Sequence, residues 1–262
     1  MLASFDTVPD TGSHLEFAKR NQSRYADHLL REAHGLEALR RASAGSGLHV
    51  PNVLHVDEHI LKLPLIEVTP CSASHWQTLG EGLAALHAQP QTHFGFDEDN
   101  YIGLTPQPNP VSDDWGEFFL RHRLEFQIGL IKDPRRRKPF SDCLRKHSLR
   151  LRDFLDAEPT TPSLVHGDLW SGNVLCGEHE RVWLIDPAAY FGDPEVDLAM
   201  TEMFGAFPRP FYAAYRASRP EPRNWSQKKQ IYNLYHYLNH LNIFGQAYLS
   251  GCEAGFALLE TI

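Results

Sequence analysis

The 262-residue sequence predicts an α+β chain, with a small strand-rich N-terminal part ahead of a larger, mainly helical part. Three observations predict it. Short β-rich runs separated by turn signals fill the segment before residue 69. Apolar residues at helical spacing dominate after residue 76. Two short apolar runs, LVH and VWLID, interrupt the helices between 164 and 186.

The elements follow in order. LEFAK (15–19) reads as a strand. RYADHLLREAHGLEALRRASA (24–44) reads as a helix, because Leu29, Leu36 and Leu39 recur near helical spacing among good helix formers, and GSG at 45–47 ends it. VPNVLHVDEHILKLPLIEV alternates turn signals with β-rich runs, which predicts strands near 53–57 and 60–67. A boundary is expected at Thr69-Pro70, dividing residues 1–69 from 70–262. WQTLGEGLAALHAQ (76–89) is helical, with Leu79, Leu83 and Leu86 on one face, and 93–110 reads as a loop. A helix carries WGEFFLRHRLEFQIGLI. The basic DPRRRKP (133–139) reads as a solvated loop, a helix is expected over 141–157, and the remainder is mainly helical with Pro-rich breaks.

A formal net charge of −8 argues against a nucleic-acid partner, which usually meets a basic face. No run approaches the roughly 18 apolar residues of a membrane span. MLASFDTVPDTGS lacks the basic and apolar regions of a signal peptide, so a cytoplasmic protein is expected. The four cysteines, Cys71, Cys143, Cys176 and Cys252, are far apart and form no CxxC pair, which predicts reduced thiols.

The chemistry concentrates in LVHGDLWSGNVL (164–175). Asp168 follows an apolar run, where a carboxylate can take a proton from an alcohol. Asn173, five residues on, offers a hard neutral oxygen suited to Mg²⁺. Asp186 ends the second apolar run and can supply a second hard ligand. One base, two metal ligands and a cationic clamp are what phosphoryl transfer uses. Taken singly, each residue could equally make turn or cap hydrogen bonds; their joint spacing points to the site. Lys19, at the end of a strand, is the candidate clamp, with Glu32 as its acid and Glu37 as the fallback. His236 and His240 are four apart, but no third ligand at zinc spacing accompanies them, so packing is the expected role.

HGDLWSGN followed by LIDPAAYFGDPEVDLAMTEMFG resembles the fructosamine kinase family (ketosamine-3-kinases), within the protein-kinase-like superfamily that includes aminoglycoside phosphotransferases and choline kinases. The resemblance continues in FGFDEDNYIGLTPQPN, WGEFFLRHRLEFQ and IYNLYHYLNHLNIFG, and covers nearly the whole chain from Lys19 onward. It implies a bilobal protein-kinase-like fold, with a small antiparallel β lobe (1–69) and a larger catalytic and substrate-binding lobe (70–262). It also implies ATP- and Mg²⁺-dependent phosphorylation of a sugar hydroxyl on a ketoamine, free or on a glycated protein lysine, which destabilises the adduct and releases the amine. By position, Asp168 would be the base, Asn173 and Asp186 the Mg²⁺ ligands, and Lys19 with Glu32 the nucleotide-positioning pair. Glu67 and Val68 would meet adenine, and Trp170 would wall the sugar pocket or pack in the core. Asp193 and Asp197 resemble the family's structural acids. A monomer or weak dimer is expected.

The family places a strand, a glycine-containing phosphate loop and a second strand before the Lys. Only eighteen residues precede Lys19 here, and Gly12 in VPDTGS reads as the turn between the second and third strands. The expectation is therefore an N-terminally truncated β lobe with weakened ATP affinity. Two other readings stand beside the ketosamine kinase: a kinase of another alcohol, aminoglycoside- or choline-like, and a catalytically inactive kinase-like binding protein.

Overall fold

The computed structural model describes residues 15–262 in full and the backbone of one strand before them. In chain order the first elements are β1 (Asp6–Val8), β2 (Glu16–Arg20), α1 (His28–Ala42), β3 (Leu48–His49), β4 (His55–Val56), β5 (Ile60–Pro64) and α2 (Ala73–His87). The middle of the chain forms β6 (Asn100–Ile102), β7 (Thr105–Gln107), α3 (Trp115–Phe119), a π-helical turn (Leu120–Glu125), α4 (Phe126–Gly129), α5 (Pro134–Leu155) and β8 (Ser163–Val165). A 3₁₀ turn (Ser171–Asn173) leads to β9 (Val174–Cys176), β10 (Val182–Leu184), β11 (Tyr190–Gly192), α6 (Glu195–Thr201), α7 (Arg209–Ser218), α8 (Trp225–Phe244) and α9 (Leu249–Leu258). Gly12 lies outside the described residues.

The chain makes two compact units. The first gathers the described residues up to Gln89 with 166–189 and 206–220; the second holds 90–165, 190–205 and 221–262. In the first unit an antiparallel sheet runs β1-β2-β5-β4, with Lys19 opposite Leu61. A second, three-stranded sheet runs β3-β10-β9. Leu29, Leu36 and Leu39 of α1 and Leu61 of β5 are almost wholly buried. Each buried leucine of this kind contributes about 1.5–3 kcal/mol relative to exposure. Helix α2 starts at a reciprocal cap: Ser72 Oγ accepts from the His75 amide, and His75 Nδ1 accepts from the Ser72 amide.

The second unit is built on α8 and on the aromatic residues of α3. Trp115, Phe118 and Phe119 are buried, with Phe119 edge-on to Tyr232. Asp193 accepts from the Tyr232 hydroxyl at 2.5 Å, and Tyr232 accepts from Trp115 Nε1 at 3.1 Å. Asp193 thus serves a buried packing network.

Three expectations are corrected. Residues 133–139 are not a loop but the opening of α5: Asp133 caps the Arg135 amide and Pro134 occupies the first turn, where no N–H is needed. The 93–110 loop contains the β6–β7 hairpin, whose register pairs Asn100 with Gln107. The four thiols are not all reduced: Cys71 and Cys176 form a disulfide with Cα atoms 5.3 Å apart, leaving Cys143 and Cys252 free. The bonded pair's sequence separation of 105 hides this in the sequence. The fold returns β9 beside the segment before α2, where the Thr69 amide donates to the Cys176 carbonyl at 2.7 Å.

Candidate active site

The site residues singled out in the sequence all fall in the first unit. Lys19 sits on β2 and Glu32 on α1. Glu32 shares the buried stripe of Leu29, Ala33 and Leu36, so its carboxylate is carried inward on an apolar face. There it meets Lys19, whose Nζ donates to both carboxylate oxygens at 2.8 and 2.9 Å. Glu37 points elsewhere and pairs with Arg40 on the surface at 2.9 Å, which sets aside the fallback.

Lys19 also lies 3.1 Å from Asp186 Oδ1. Two acids therefore share one cation. Burial would lower the Lys19 pKa, but the Glu32 and Asp186 charges outweigh it and raise it. Burial pushes Glu32 upward, to about 7, against the pull of Lys19, and Asp186 adds to the rise. Glu32 is thus a carboxyl whose charged form its surroundings disfavour.

Asp186 adopts a left-handed backbone with φ of 51°, an uncommon state for a residue with a side chain. The neighbouring hydrogen bonds hold it there. The Ile185 amide donates to the Asn173 carbonyl at 3.1 Å, and the Ala188 amide donates to the His166 carbonyl at 3.0 Å. The wholly buried His166 bridges the same two segments. Its Nδ1 accepts from the Asp168 amide at 3.3 Å and its Nε2 lies 2.9 Å from the Ile185 carbonyl. Nε2–H is then the donor, which fixes a neutral tautomer. Pro187 packs against α1 at Gly35, where an added Cβ would meet it at 3.4 Å.

Asn173 completes the loop. Its Nδ2 donates to the Asp168 carbonyl at 2.8 Å and to Asp168 Oδ2 at 3.2 Å. These bonds use the amide nitrogen, so that Oδ1 is the atom that could meet a cation. Asp186, 44% exposed, offers a carboxylate open to solvent. The donor set fits a hard divalent cation. Among the described residues no three His, Cys, Asp or Glu side chains gather as a metal cage, so such an ion would take its remaining ligands from phosphate and water. Trp170, 37% exposed, lies on the loop surface. Glu67 and Val68 follow β5, with Val68 exposed, and the Glu67 carbonyl faces Gly177 just after β9.

Sequence reasoning separated Lys19 and Asp186 into different roles and missed their direct ion pair. It also missed His75, whose Nε2 reaches the Gly177 carbonyl at 2.8 Å and ties the start of α2 to the end of β9. A signal existed for Glu32, a lone acid on an apolar helical stripe. None existed for His75.

Among the described residues no helix is long and apolar enough to cross a membrane. The sequence profile of the fructosamine kinase family matches residues 7–259. A Synechocystis protein assigned as a ketoamine kinase is 41% identical over 242 residues, covering 90% of this chain and 80% of its own. An Arabidopsis thaliana chloroplastic protein-ribulosamine 3-kinase is 34% identical over 253 residues, covering 92% of this chain and 74% of its own. The crystal structure of a Thermobifida fusca protein assigned as a fructosamine-3-kinase superposes with a TM-score of 0.83 at 26% identity, over 100% of this chain and 94% of that one. The structure therefore has the protein-kinase-like fold, and the chain belongs to the fructosamine kinase family.

Proposed function

We propose that this chain is an ATP-dependent kinase of ketoamines, transferring the terminal phosphate to a hydroxyl of a sugar carried on an amine. The observation that carries this reading is the convergence of Asp168, Asn173, Asp186, Lys19 and Glu32 in one unit, with the 166–173 and 185–188 segments bonded to each other. The names of its Synechocystis and Arabidopsis relatives support the ketoamine substrate.

In this reading Asp168 accepts the proton of the attacking hydroxyl. The Asn173 amide on Asp168 Oδ2 orients the carboxylate so that the other oxygen faces the acceptor. Lys19, held by Glu32, places its ammonium against the nucleotide phosphates. Asn173 Oδ1 and Asp186 would hold Mg²⁺, which supplies charge neutralisation for the transferring phosphoryl group. Glu67 and Val68 meet adenine, residues 1–69 form the nucleotide-binding lobe, and residues 70–262 form the catalytic and substrate lobe. Trp170 meets the sugar. The amine side of the adduct is free or a protein lysine, and its phosphorylation leads to deglycation. The chain works in the cytoplasm as a monomer or weak dimer, without nucleic acid or membrane.

Assaying ATP-dependent phosphorylation of ribulosyl-lysine and fructosyl-lysine, beside aminoglycoside and choline acceptors, tests the proposal. Turnover is expected on the ketoamines and is expected to vanish in Asp168→Asn. Turnover confined to another alcohol would overturn the substrate. Nucleotide binding without any turnover would favour an inactive kinase-like binder.

A further inference from the structure

Gly172 lies inside the 3₁₀ turn Ser171–Asn173, with no left-handed φ. Its backbone conformation is open to any residue, so the backbone alone does not call for glycine. What the position lacks room for is a side chain. An added Cβ would stand 2.3 Å from Cη2, 2.5 Å from Cζ2 and 2.7 Å from Cζ3 of Trp170. The six-membered end of the indole therefore rests directly on Gly172. The Trp170 backbone is bonded on both sides: its amide donates to the Asp168 carbonyl at 3.2 Å, and its carbonyl accepts from the Asn173 amide at 2.9 Å. A clash at Gly172 cannot be relieved by moving that backbone without disturbing Asp168 or Asn173. It is relieved by swinging the indole away. Trp170 nonetheless remains 37% exposed, so the ring is seated on the loop and still presents surface to a ligand.

We propose that Gly172 is a specificity-determining positioning residue, whose missing side chain lets the Trp170 indole lie down as a shelf for the carbon–hydrogen face of the acceptor sugar. This deepens the ketoamine reading and rests on it. A flat indole offers the negative face of its π system to polarised C–H groups, and a sugar ring or chain beside Asp168 presents such groups next to its hydroxyls. A seated ring also carries little conformational freedom, so little is lost when the sugar binds.

The test is a four-protein cycle of wild type, Gly172→Ala, Trp170→Ala and the double variant. The KM for fructosyl-lysine, the KM for ATP, kcat and the melting temperature are measured for each. Gly172→Ala is expected to raise the sugar KM about tenfold with the ATP KM unchanged. In the Trp170→Ala background the same substitution is expected to add nothing, because the ring it displaces is gone. Trp170→Phe, a smaller ring, is expected to fall between wild type and Trp170→Ala, and guards against misfolding of the alanine variant. Additive effects in the double variant, or a fall in kcat and ATP affinity with the sugar KM unmoved, would overturn the proposal, since Gly172 would then serve the loop itself. If wild type phosphorylates a different alcohol, the ketoamine reading fails on that result alone. The same cycle run on that acceptor still decides the shelf.

Discussion

Lys19 and Arg123 are both cations taken out of water, one in each unit, and they are neutralised by different chemistry. Lys19 meets two carboxylates, Glu32 at 2.8 Å and Asp186 at 3.1 Å. Arg123 is fully buried, and among the described residues no carboxylate lies within ion-pair distance of it. Its guanidinium donates instead to the Pro108 carbonyl at 2.7 Å, the His122 carbonyl at 3.1 Å and Asn109 Oδ1 at 2.8 Å. Its flat face lies 4.1 Å over the Tyr190 ring and 4.6 Å over Phe118. Carbonyls and the Phe118 ring cannot titrate, and burial pushes the Tyr190 phenol up to about 12, whereas a carboxylate can change charge. Lys19 therefore sits where charge can be rearranged when phosphate arrives, and Arg123 sits where it is fixed. In the proposed kinase reading the first belongs to a reacting site, while the second belongs to a core.

The largest effect on stability should come from Arg123→Met. It strips three oxygens of their donor and leaves no neighbour able to absorb the change, at a cost of about 3–5 kcal/mol in denaturant unfolding. Arg123→Lys should rescue little, because an ammonium cannot stack on Tyr190 and fill the same fork. A near-neutral Arg123→Met would dissolve the contrast. Reducing the Cys71–Cys176 disulfide, or Cys71→Ser, should cost about 2–4 kcal/mol by the same measurement, with the larger end expected for so long a loop.

Lys19→Met should lower turnover about 100-fold or more yet cost only about 1–2 kcal/mol of stability. Glu32, already raised to about 7, can take up a proton once its cation is gone. Adding Glu32→Gln to Lys19→Met should restore the stability without restoring turnover. A loss as large as that of Arg123→Met would show that Glu32 does not respond.

The smallest effect is on pH dependence. The Glu32 carboxyl is raised in the folded protein, so the native state binds the proton more tightly than the unfolded state. From this group, stability is full below about 4.5, falls as pH rises and levels off above about 7. His236 works the other way: burial lowers it to about 3, so stability is lost as pH falls below the ordinary histidine range. Subtracting the unfolding free energy of Glu32→Gln from that of wild type between pH 4 and 8 isolates the first trend. A flat difference would show that Lys19 fully compensates Glu32.

The contrast also explains what could be read in advance. The strands carrying Lys19, the α1 stripe and the HGDLWSGN loop were legible, because local periodicity and fixed spacing encode them. Glu32 was legible as the acid that a clamp lysine needs on the following helix. Arg123 was not, because its partners are backbone carbonyls and aromatic faces brought together by tertiary packing, which leave no complementary charge in the sequence. The disulfide and the His75–Gly177 contact were hidden for the same reason, joining segments about a hundred residues apart. The basic, polar composition of 133–139 misled its reading as a solvated loop, since a run of charge looks the same on an exposed helix, and Asp133 with Pro134 starts a helix there.

The Cys71–Cys176 link closes a covalent ring that threads the chain through residues 72–175, including all of 90–165. A protease cut at any one peptide bond inside that ring opens it without releasing a fragment. The nicked protein would keep its intact mass plus one water, migrate as a single band without reductant, and part into two pieces only when a thiol is added.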